Sequence, residues 1–240
     1  MQNYIVVIAI FAKYFIFFKC KATYLNFDTM KNTALSSNNA LLSVMDKLKL
    51  ETKANHTQTE KVSSMKRLFA SDYSLTEYCQ HLKKVYGYLS VLELLLLQGV
   101  SADKLLHEFF LVRRKQAWLK QDLISFGLTE AEILALPKPQ PPSYINSLPS
   151  CLGVYYVLEG SSLGGQMICQ HLTQHFVDAT ANKLRFYQGY GSETRQKWQQ
   201  FGTLVNARFP DPQQPEINEI IEAAKLTFDW LADWLKTNPV

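Results

Sequence analysis

Residues 74 to 99 carry the pattern that most restricts the fold, because only an α-helix brings their apolar side chains together. Ser74 and Glu77 match the S-x-x-E spacing of a capping box, which marks a helix start. Apolar residues then recur at steps of three and four until Gly99, a residue suited to end a helix. The stripe consists of Leu75, Tyr78, Leu82, Val85, Leu89, Leu92 and Leu96. This segment predicts a long amphipathic helix.

The residues that follow carry further helix signals. Ser101 is a candidate N-cap for a second helix that runs to about Phe126, where Gly127 supplies a stop. Thr129 and Glu132 then form another capping box. We therefore expect helix to follow helix with short turns between them.

The second half of the chain is also helical in pattern. The tract Pro137–Pro142 predicts a loop, because proline lacks the amide donor that a helix needs. A long apolar stretch runs from Leu152 to about Val177, and Phe186–Ser192 is typical of a loop. Ile217–Leu235 again holds the helical period. Because no βαβ alternation or internal repeat appears, we predict an all-α single domain, a helical bundle.

Composition excludes several classes of protein. With 240 residues and 47% hydrophobic residues, the chain can bury a sizeable core, which argues against intrinsic disorder. A net charge of +4 argues against nucleic-acid binding. The cysteines form no CxxC pair, so a reducing, cytoplasmic setting is expected. They are Cys20, Cys79, Cys151 and Cys169.

The N-terminal residues differ from the rest. Tyr4–Phe18 is strongly apolar, but Lys13 interrupts it and it falls short of the roughly 20 residues that span a bilayer. No basic residue precedes it, as a secretory signal would require. We expect residues 1–40 to be an extension outside the fold and residues 41–240 to form the domain, with a signal or a membrane anchor as the alternative for the extension.

Two segments carry residues suited to chemistry. His56 and Glu60 are four apart and share one helix face, and a carboxylate can orient a metal-bound histidine. A solvent-facing pair without function explains the same spacing. Gly160, Gly164 and Gly165 interrupt an apolar helical stretch, at about 1 kcal/mol each relative to alanine. They allow either close approach of a flat ligand or tight helix packing.

Three segments together resemble the heme oxygenase family. LKLETKANHTQTE resembles its proximal helix, YYVLEGSSLGGQMI its distal helix, and FYQGYGSETRQKWQQF a later region of bacterial, biliverdin-producing members, including those associated with phytochromes. The likeness extends over about residues 43 to 236. It implies that the chain oxidises heme to biliverdin with release of CO and ferrous iron, using O2 and electrons from a ferredoxin or a reductase.

The resemblance also implies roles for individual residues. His56 becomes the axial ligand of the heme iron and Glu60 its hydrogen-bond partner, while Lys49 and Tyr155 match positions that contact the heme propionates. The three glycines at 160, 164 and 165 match the glycines above the heme.

Two departures from the family pattern affect this assignment. Members that resemble the mammalian enzymes have an aspartate where this chain has Ser161. Bacterial members with a Gly-Ser pattern lack that aspartate, as this chain does. The basic residues of the family's late helix align with Gln199 and Thr203, so Arg195 or Lys197 is expected to replace them at the propionates.

Other charged residues and histidines have simpler interpretations. His171 and His175 have a zinc-compatible spacing but no third ligand in a motif, so they are expected on a polar face. His81 and His107 are expected to be partly exposed. Arg113–Lys115 is expected to be a solvated face, and the functional alternative is a docking site for an acidic electron donor such as a ferredoxin.

Two alternatives to the enzyme stay open. A protein of this fold that keeps His56 can bind or carry heme without cleaving it, and it would yield no biliverdin. A related all-α protein can act on a different ligand, because fold does not fix function, and it would give no Soret shift with hemin.

Overall fold

The computed structural model describes residues 42–176 and 183–237. The N-terminal extension expected at residues 1–40 lies outside them, and none of the helices described is long and apolar enough to cross a membrane. The described residues form helices without strands. The helices are α1 (Val44–Glu51), α2 (Lys53–Glu60), α3 (Ser63–Arg67), α4 (Leu75–Gly99), α5 (Lys104–Leu111), α6 (Gln116–Ser125), α7 (Glu130–Leu134), α8 (Leu148–His175), α9 (Arg185–Gln188), α10 (Thr194–Arg208) and α11 (Glu216–Lys236). The all-α bundle predicted from periodicity is confirmed.

Helix α4 begins and ends where its sequence predicts. The Ser74 hydroxyl accepts from the Glu77 amide and the Glu77 carboxylate accepts from the Ser74 amide, which completes the capping box. The predicted stripe supplies the buried face of the helix, apart from Leu75 at its first turn. At Gly87 an added Cβ would collide with the Pro137 carbonyl, so the proline loop packs directly on the backbone of α4.

The single helix predicted from Ser101 to Phe126 is wrong, because the structure divides it into α5 and α6. Asp103, not Ser101, caps α5 by accepting from the Leu106 amide. The second start is fixed from outside the segment: the buried Glu93 carboxylate of α4 accepts from the amides of Lys115 and Gln116. A contact between residues more than 20 positions apart therefore interrupts this helix, and no local pattern reveals it.

Helices α8 and α11 form the centre of the bundle. Ser147 caps α8, and the helix continues through all of its glycines to His175. Where α8 meets α11, a Cβ on Gly153 would collide with the Ile220 carbonyl, so the two backbones touch there. Helix α11 also packs against α1, α2 and α4, while α10 packs against α8 and α1.

The loop expected at Phe186–Ser192 is only partly a loop. It contains the end of α9 and the start of a 3-10 turn, Gly191–Glu193. Both Gly189 and Gly191 have positive φ, at 55° and 57°, which glycine adopts without strain. The buried Asp122 carboxylate accepts from the amides of Arg185 and Phe186 and so fixes the start of α9.

Candidate functional site

Helix α2 presents His56 at the surface beside Glu60. The two side chains are paired as the spacing predicts, with His56 Nδ1 and Glu60 Oε1 3.4 Å apart. The His56 side chain is 55% exposed, so its other ring nitrogen is accessible. Partial burial raises the pKa of Glu60, and the neighbouring imidazole opposes that rise. This pair has one ring nitrogen oriented by a carboxylate and the other available to a ligand.

Contacts with α11 hold α2 in this position. The Thr59 hydroxyl donates to the Phe228 carbonyl at 3.2 Å, and the Asn55 amide donates to Asp229 at 2.9 Å. The His56 ring meets the Phe228 ring edge-on, with centroids 5.4 Å apart. The orientation of His56 therefore depends on the final helix of the bundle.

The three glycines of α8 do not share one environment. A Cβ on Gly164 would meet nothing within 4 Å, and one on Gly160 would meet only the Trp198 ring, at 3.5 Å. A Cβ on Gly165 would lie 3.4 Å from the Tyr187 carbonyl of α9. Gly165 therefore packs against α9, and the expectation that the glycines lie over a ligand stays a prediction. Gly160 and Gly164, one turn apart, form the open face.

Ser161 lies at the edge of this open face. Its side chain is exposed, and its hydroxyl donates to the Leu158 carbonyl at 2.7 Å. Serine hydroxyls in helices commonly form such bonds with a carbonyl of the preceding turn. The hydroxyl is the polar side-chain group nearest in sequence to Gly160 and Gly164 on this face.

Helix α8 meets the α1–α2 junction and α10 about one turn before Gly160. Tyr156 of α8 interacts with Thr52, which joins α1 to α2, and its ring lies 5.4 Å from that of Trp198 on α10. His56 follows Thr52 by one turn, and Gly160 follows Tyr156 by one turn. The contact thus brings the His56 helix and the glycine helix together at one corner of the candidate site.

The basic residues expected at the propionates lie on α1 and α10. Lys49 and Arg195 are exposed, while Lys197 is partly buried with its ammonium 3.6 Å from Glu193. Helix α10 passes α1 closely, since a Cβ on Gly202 would meet Met45 at 3.6 Å. Gln199 and Thr203, which the resemblance aligns with the family's basic residues, are exposed.

Tyr155 does not lie where the resemblance implies. Its side chain is 1% exposed, and its ring stacks on Phe110 at 3.9 Å and packs against Phe201. The hydroxyl is buried without a hydrogen-bond partner. Successive helical residues point about 100° apart, so Tyr155 enters the core while Tyr156 faces the corner of the site.

The basic segment Arg113–Lys115 is not a solvated face. Arg113 and Lys115 are 4% and 2% exposed, and both form ion pairs with Glu159, which is 1% exposed. Arg114 pairs with buried Glu93. The prediction that an acidic donor docks on this segment is therefore wrong for its two buried cations, Arg113 and Lys115. The sequence signal that we missed is Glu159 itself, a carboxylate in an apolar helix directly before Gly160.

The remaining histidines have structural surroundings. His81 is buried, not partly exposed as expected, and shares a 2.5 Å hydrogen bond with Tyr187; burial lowers the pKa of His81 to about 4. His107 is partly exposed as expected. His171 and His175 stack with centroids 5.9 Å apart, and His175 contacts the Tyr73 carbonyl. Within residues 42–176 and 183–237, no cluster of three or more potential ligands is placed to bind a metal ion.

The residues of the site fit a heme, the group that the resemblance implies. One face offers a single accessible imidazole, the ligand type that holds heme iron in globins and peroxidases. The other is a helix face on which Gly164 leaves open space. Helix α11 packs against both helices and so keeps them in a fixed relation.

Comparisons with known proteins identify the family to which this fold belongs. The family model for heme oxygenase matches residues 42–237. The solved heme oxygenase of Leptospira interrogans has a TM-score of 0.66 and 17% identity, covering 81% of this chain and 99% of its own. Heme oxygenase-2 of Synechocystis sp. PCC 6803, solved with heme and NO, has a TM-score of 0.65 and 19% identity. The match covers 81% of this chain and 84% of that protein.

Heme oxygenase-1 of the same cyanobacterium, solved with heme, has a TM-score of 0.62 and 15% identity, covering 81% of this chain and 91% of its own. No curated protein sequence matches the chain significantly. The structural likeness shows the fold, and the family model covers most of the chain. The chain belongs to the heme oxygenase family.

Proposed function

We propose that this chain cleaves heme to biliverdin with release of CO and ferrous iron, using O2 and electrons from an external donor. The observation that carries the proposal is the pairing of an accessible, carboxylate-oriented His56 with an open glycine face on α8, in a chain of the heme oxygenase family. When bound, heme is both the substrate and the group that supplies the iron where O2 reacts.

On the His56 side, the chain binds and orients. The accessible ring nitrogen of His56 would bind the heme iron, and Glu60 lies 3.4 Å from Nδ1. A carboxylate partner raises the basicity of such an imidazole and fixes its tautomer. The Phe228 ring, 5.4 Å from the imidazole, limits the rotation of His56.

On the α8 side, the chain leaves room. Without side chains at Gly160 and Gly164, backbone atoms approach the ligand closely and few groups compete for the space needed by O2. Ser161 supplies the hydroxyl that replaces the aspartate of other members. Its present partner is a backbone carbonyl, so a change of rotamer brings the hydroxyl to water or a bound molecule.

The charged edge of heme requires cations. Lys49 on α1 and Arg195 on α10 are exposed, and Lys197 forms an ion pair with exposed Glu193 while its ammonium lies 6.0 Å from the centroid of the Tyr190 ring. These three side chains are the proposed propionate partners. Arginine gives the more directional contact because its planar guanidinium can bind a carboxylate with two hydrogen bonds.

The test begins with hemin titration of the wild-type protein, followed by turnover with ascorbate or a ferredoxin system and chromatography of the product. We expect a Soret shift at one heme per chain and formation of biliverdin. Binding without biliverdin would indicate a heme carrier, and no Soret shift would indicate a different ligand. Either result would contradict the proposal.

The ligand assignment is tested with His56→Ala. Loss of the imidazole should change the ferric spectrum and lower biliverdin formation at least about 100-fold, because the axial nitrogen is gone. Free imidazole should restore part of both. His107→Ala, which removes a partly exposed histidine of α5, is the matched control and should behave as wild type. If the two variants exchanged these phenotypes, the assignment of His56 would be wrong.

A further inference from the structure

Glu159 joins four parts of the fold in one buried charge cluster. Its Oε1 accepts from Arg113 at 2.7 Å, and its Oε2 accepts from the Lys115 ammonium at 2.9 Å and from the Tyr190 hydroxyl at 3.0 Å. Arg113 also donates to the Lys197 carbonyl of α10 at 2.9 Å. Lys115 is thus a second cation on the same carboxylate, in a segment that also contacts the buried Glu93 carboxylate.

Lys115 has a contact that the other members of the cluster lack. Its ammonium donates to the Leu158 carbonyl at 3.0 Å, inside α8. The same carbonyl accepts from the Ser161 hydroxyl at 2.7 Å, and the α-helix directs the Ser162 amide at it as well. Three donors therefore converge on one carbonyl oxygen, which has two lone pairs.

The three donors differ in how easily each can leave. The Ser162 amide is fixed by the helix, and the Lys115 ammonium is fixed by its charge and by burial at 2% exposure. The Ser161 hydroxyl can rotate, and its side chain is exposed, so water or a ligand can replace the carbonyl as its partner. Competition from Lys115 thus weakens the hydrogen bond between the Ser161 hydroxyl and the Leu158 carbonyl.

We propose that Lys115 is a positioning residue for Ser161: by competing for the Leu158 carbonyl, it makes the Ser161 hydroxyl, which bonds that carbonyl in this structure, easier to displace toward the open face at Gly160 and Gly164. The inference rests on the proposed function for the identity of the molecule at that face, a heme and its bound diatomic ligand. The contacts themselves belong to the protein alone, so the first test uses the protein without heme.

The first measurement is the side-chain rotamer distribution of Ser161, from NMR couplings of serine-labelled protein without heme. Wild type should populate more than one rotamer. In Lys115→Met the Leu158 carbonyl loses its charged donor, and Ser161 should settle in the rotamer that bonds this carbonyl. Glu159 keeps Arg113 and Tyr190 as partners in this variant. Identical rotamer populations in the two proteins would overturn the proposal.

Tyr190→Phe is the matched control, because it removes a donor from the same Glu159 oxygen without touching the Leu158 carbonyl. Ser161 should keep the wild-type distribution. If Tyr190→Phe changed it as much as Lys115→Met, the cluster would act only as general support, and the specific role of Lys115 would be wrong. Lys115→Gln keeps a donor without charge and should give a smaller shift in the same direction, which provides the test if Lys115→Met does not fold.

The second measurement is the C–O stretching frequency of the ferrous CO complex, which responds to hydrogen bonding above the heme. Ser161→Ala should shift the band, Lys115→Met should give at least half of that shift, and the double variant should not exceed Ser161→Ala alone. Additive shifts would contradict action through Ser161. Biliverdin formation with unchanged rotamers would refute only this inference, whereas rotamer changes without heme turnover would refute only the proposed function.

Discussion

At the scale of single residues, Gly164 and Gly165 are adjacent but have different neighbours. Leucine at Gly164 would extend into open space, and it would favour helix by about 0.5–1 kcal/mol over glycine. We therefore expect Gly164→Leu to fold at least as stably as wild type while losing most heme turnover. Thermal unfolding and biliverdin yield, measured on the same sample, check both parts.

Leucine at Gly165 should have the opposite effect. The added side chain would press on Tyr187, whose carbonyl is already 3.4 Å from the added Cβ position, and such overpacking typically costs 1–3 kcal/mol. Gly165→Leu should therefore lower the free energy of unfolding. Normal biliverdin yield from Gly164→Leu would show that this face does not adjoin the heme.

Glu60 is predicted to act through His56. Glu60→Ala leaves the imidazole in place but removes the carboxylate 3.4 Å from Nδ1. Loss of such a partner typically weakens metal binding or activity 10–100-fold, so the variant should be less impaired than His56→Ala. Parallel hemin titrations and turnover assays measure the difference, and equal loss in both variants would contradict the ranking.

At the scale of elements, α9 depends on a buried carboxylate. Burial raises the pKa of Asp122 to about 6, although the amides of Arg185 and Phe186 that donate to it oppose the rise. The folded state therefore holds this proton more tightly than the unfolded chain, whose aspartate pKa is about 3.9. The resulting contribution to stability is present below pH 4 and is lost as the pH rises through about 6.

Asp122→Asn removes this titration. The wild-type free energy of unfolding should fall relative to that of the variant between pH 4 and 6, by an amount on the order of 2–3 kcal/mol. Urea unfolding at half-unit pH intervals measures the difference, in which the other titrating groups cancel. A constant difference across this range would show that the pKa of Asp122 is not raised.

Helix α6 is predicted to depend on the buried carboxylate of Glu93. Glu93→Gln weakens the acceptor for the Lys115 and Gln116 amides and for the Arg114 guanidinium, and bonds to a buried charged group contribute about 1.5–3 kcal/mol each. The variant should unfold at lower urea concentration and exchange its amides faster at the start of α6. Glu130→Gln breaks the exposed pair with Lys120 and should change stability by less than about 1 kcal/mol.

These elements also show what the sequence can and cannot predict. Capping residues and apolar periodicity act within one turn or one face, so the starts at Ser74 and Thr129 and the helical course of α8 and α11 could be predicted. The start of α6 could not, because its cap comes from Glu93 on another helix. In the site, the His56–Glu60 pairing follows from helical spacing. The burial of Tyr155 and Arg113 depends on long-range partners that spacing does not encode.

At the scale of the whole molecule, residues 1–40 are predicted to be dispensable. No residue of the proposed site precedes Lys49, and the family match begins at residue 42. A protein that begins at Leu41 should bind hemin and unfold thermally as the full chain does. A drop of more than about 5 °C in Tm, equivalent to roughly 1–2 kcal/mol for a domain of this size, would show that the extension belongs to the fold.

The position of α11 has a consequence for biosynthesis. This helix follows the others in the chain, and it packs against both the His56 helix and the glycine helix. A ribosome therefore releases the His56 helix and the glycine helix before it releases the helix that packs against both. Until Phe228 has left the ribosome, the nascent chain cannot form the ring contact beside His56. The proposed site is accordingly complete only after α11 has emerged from the ribosome and packed against both helices.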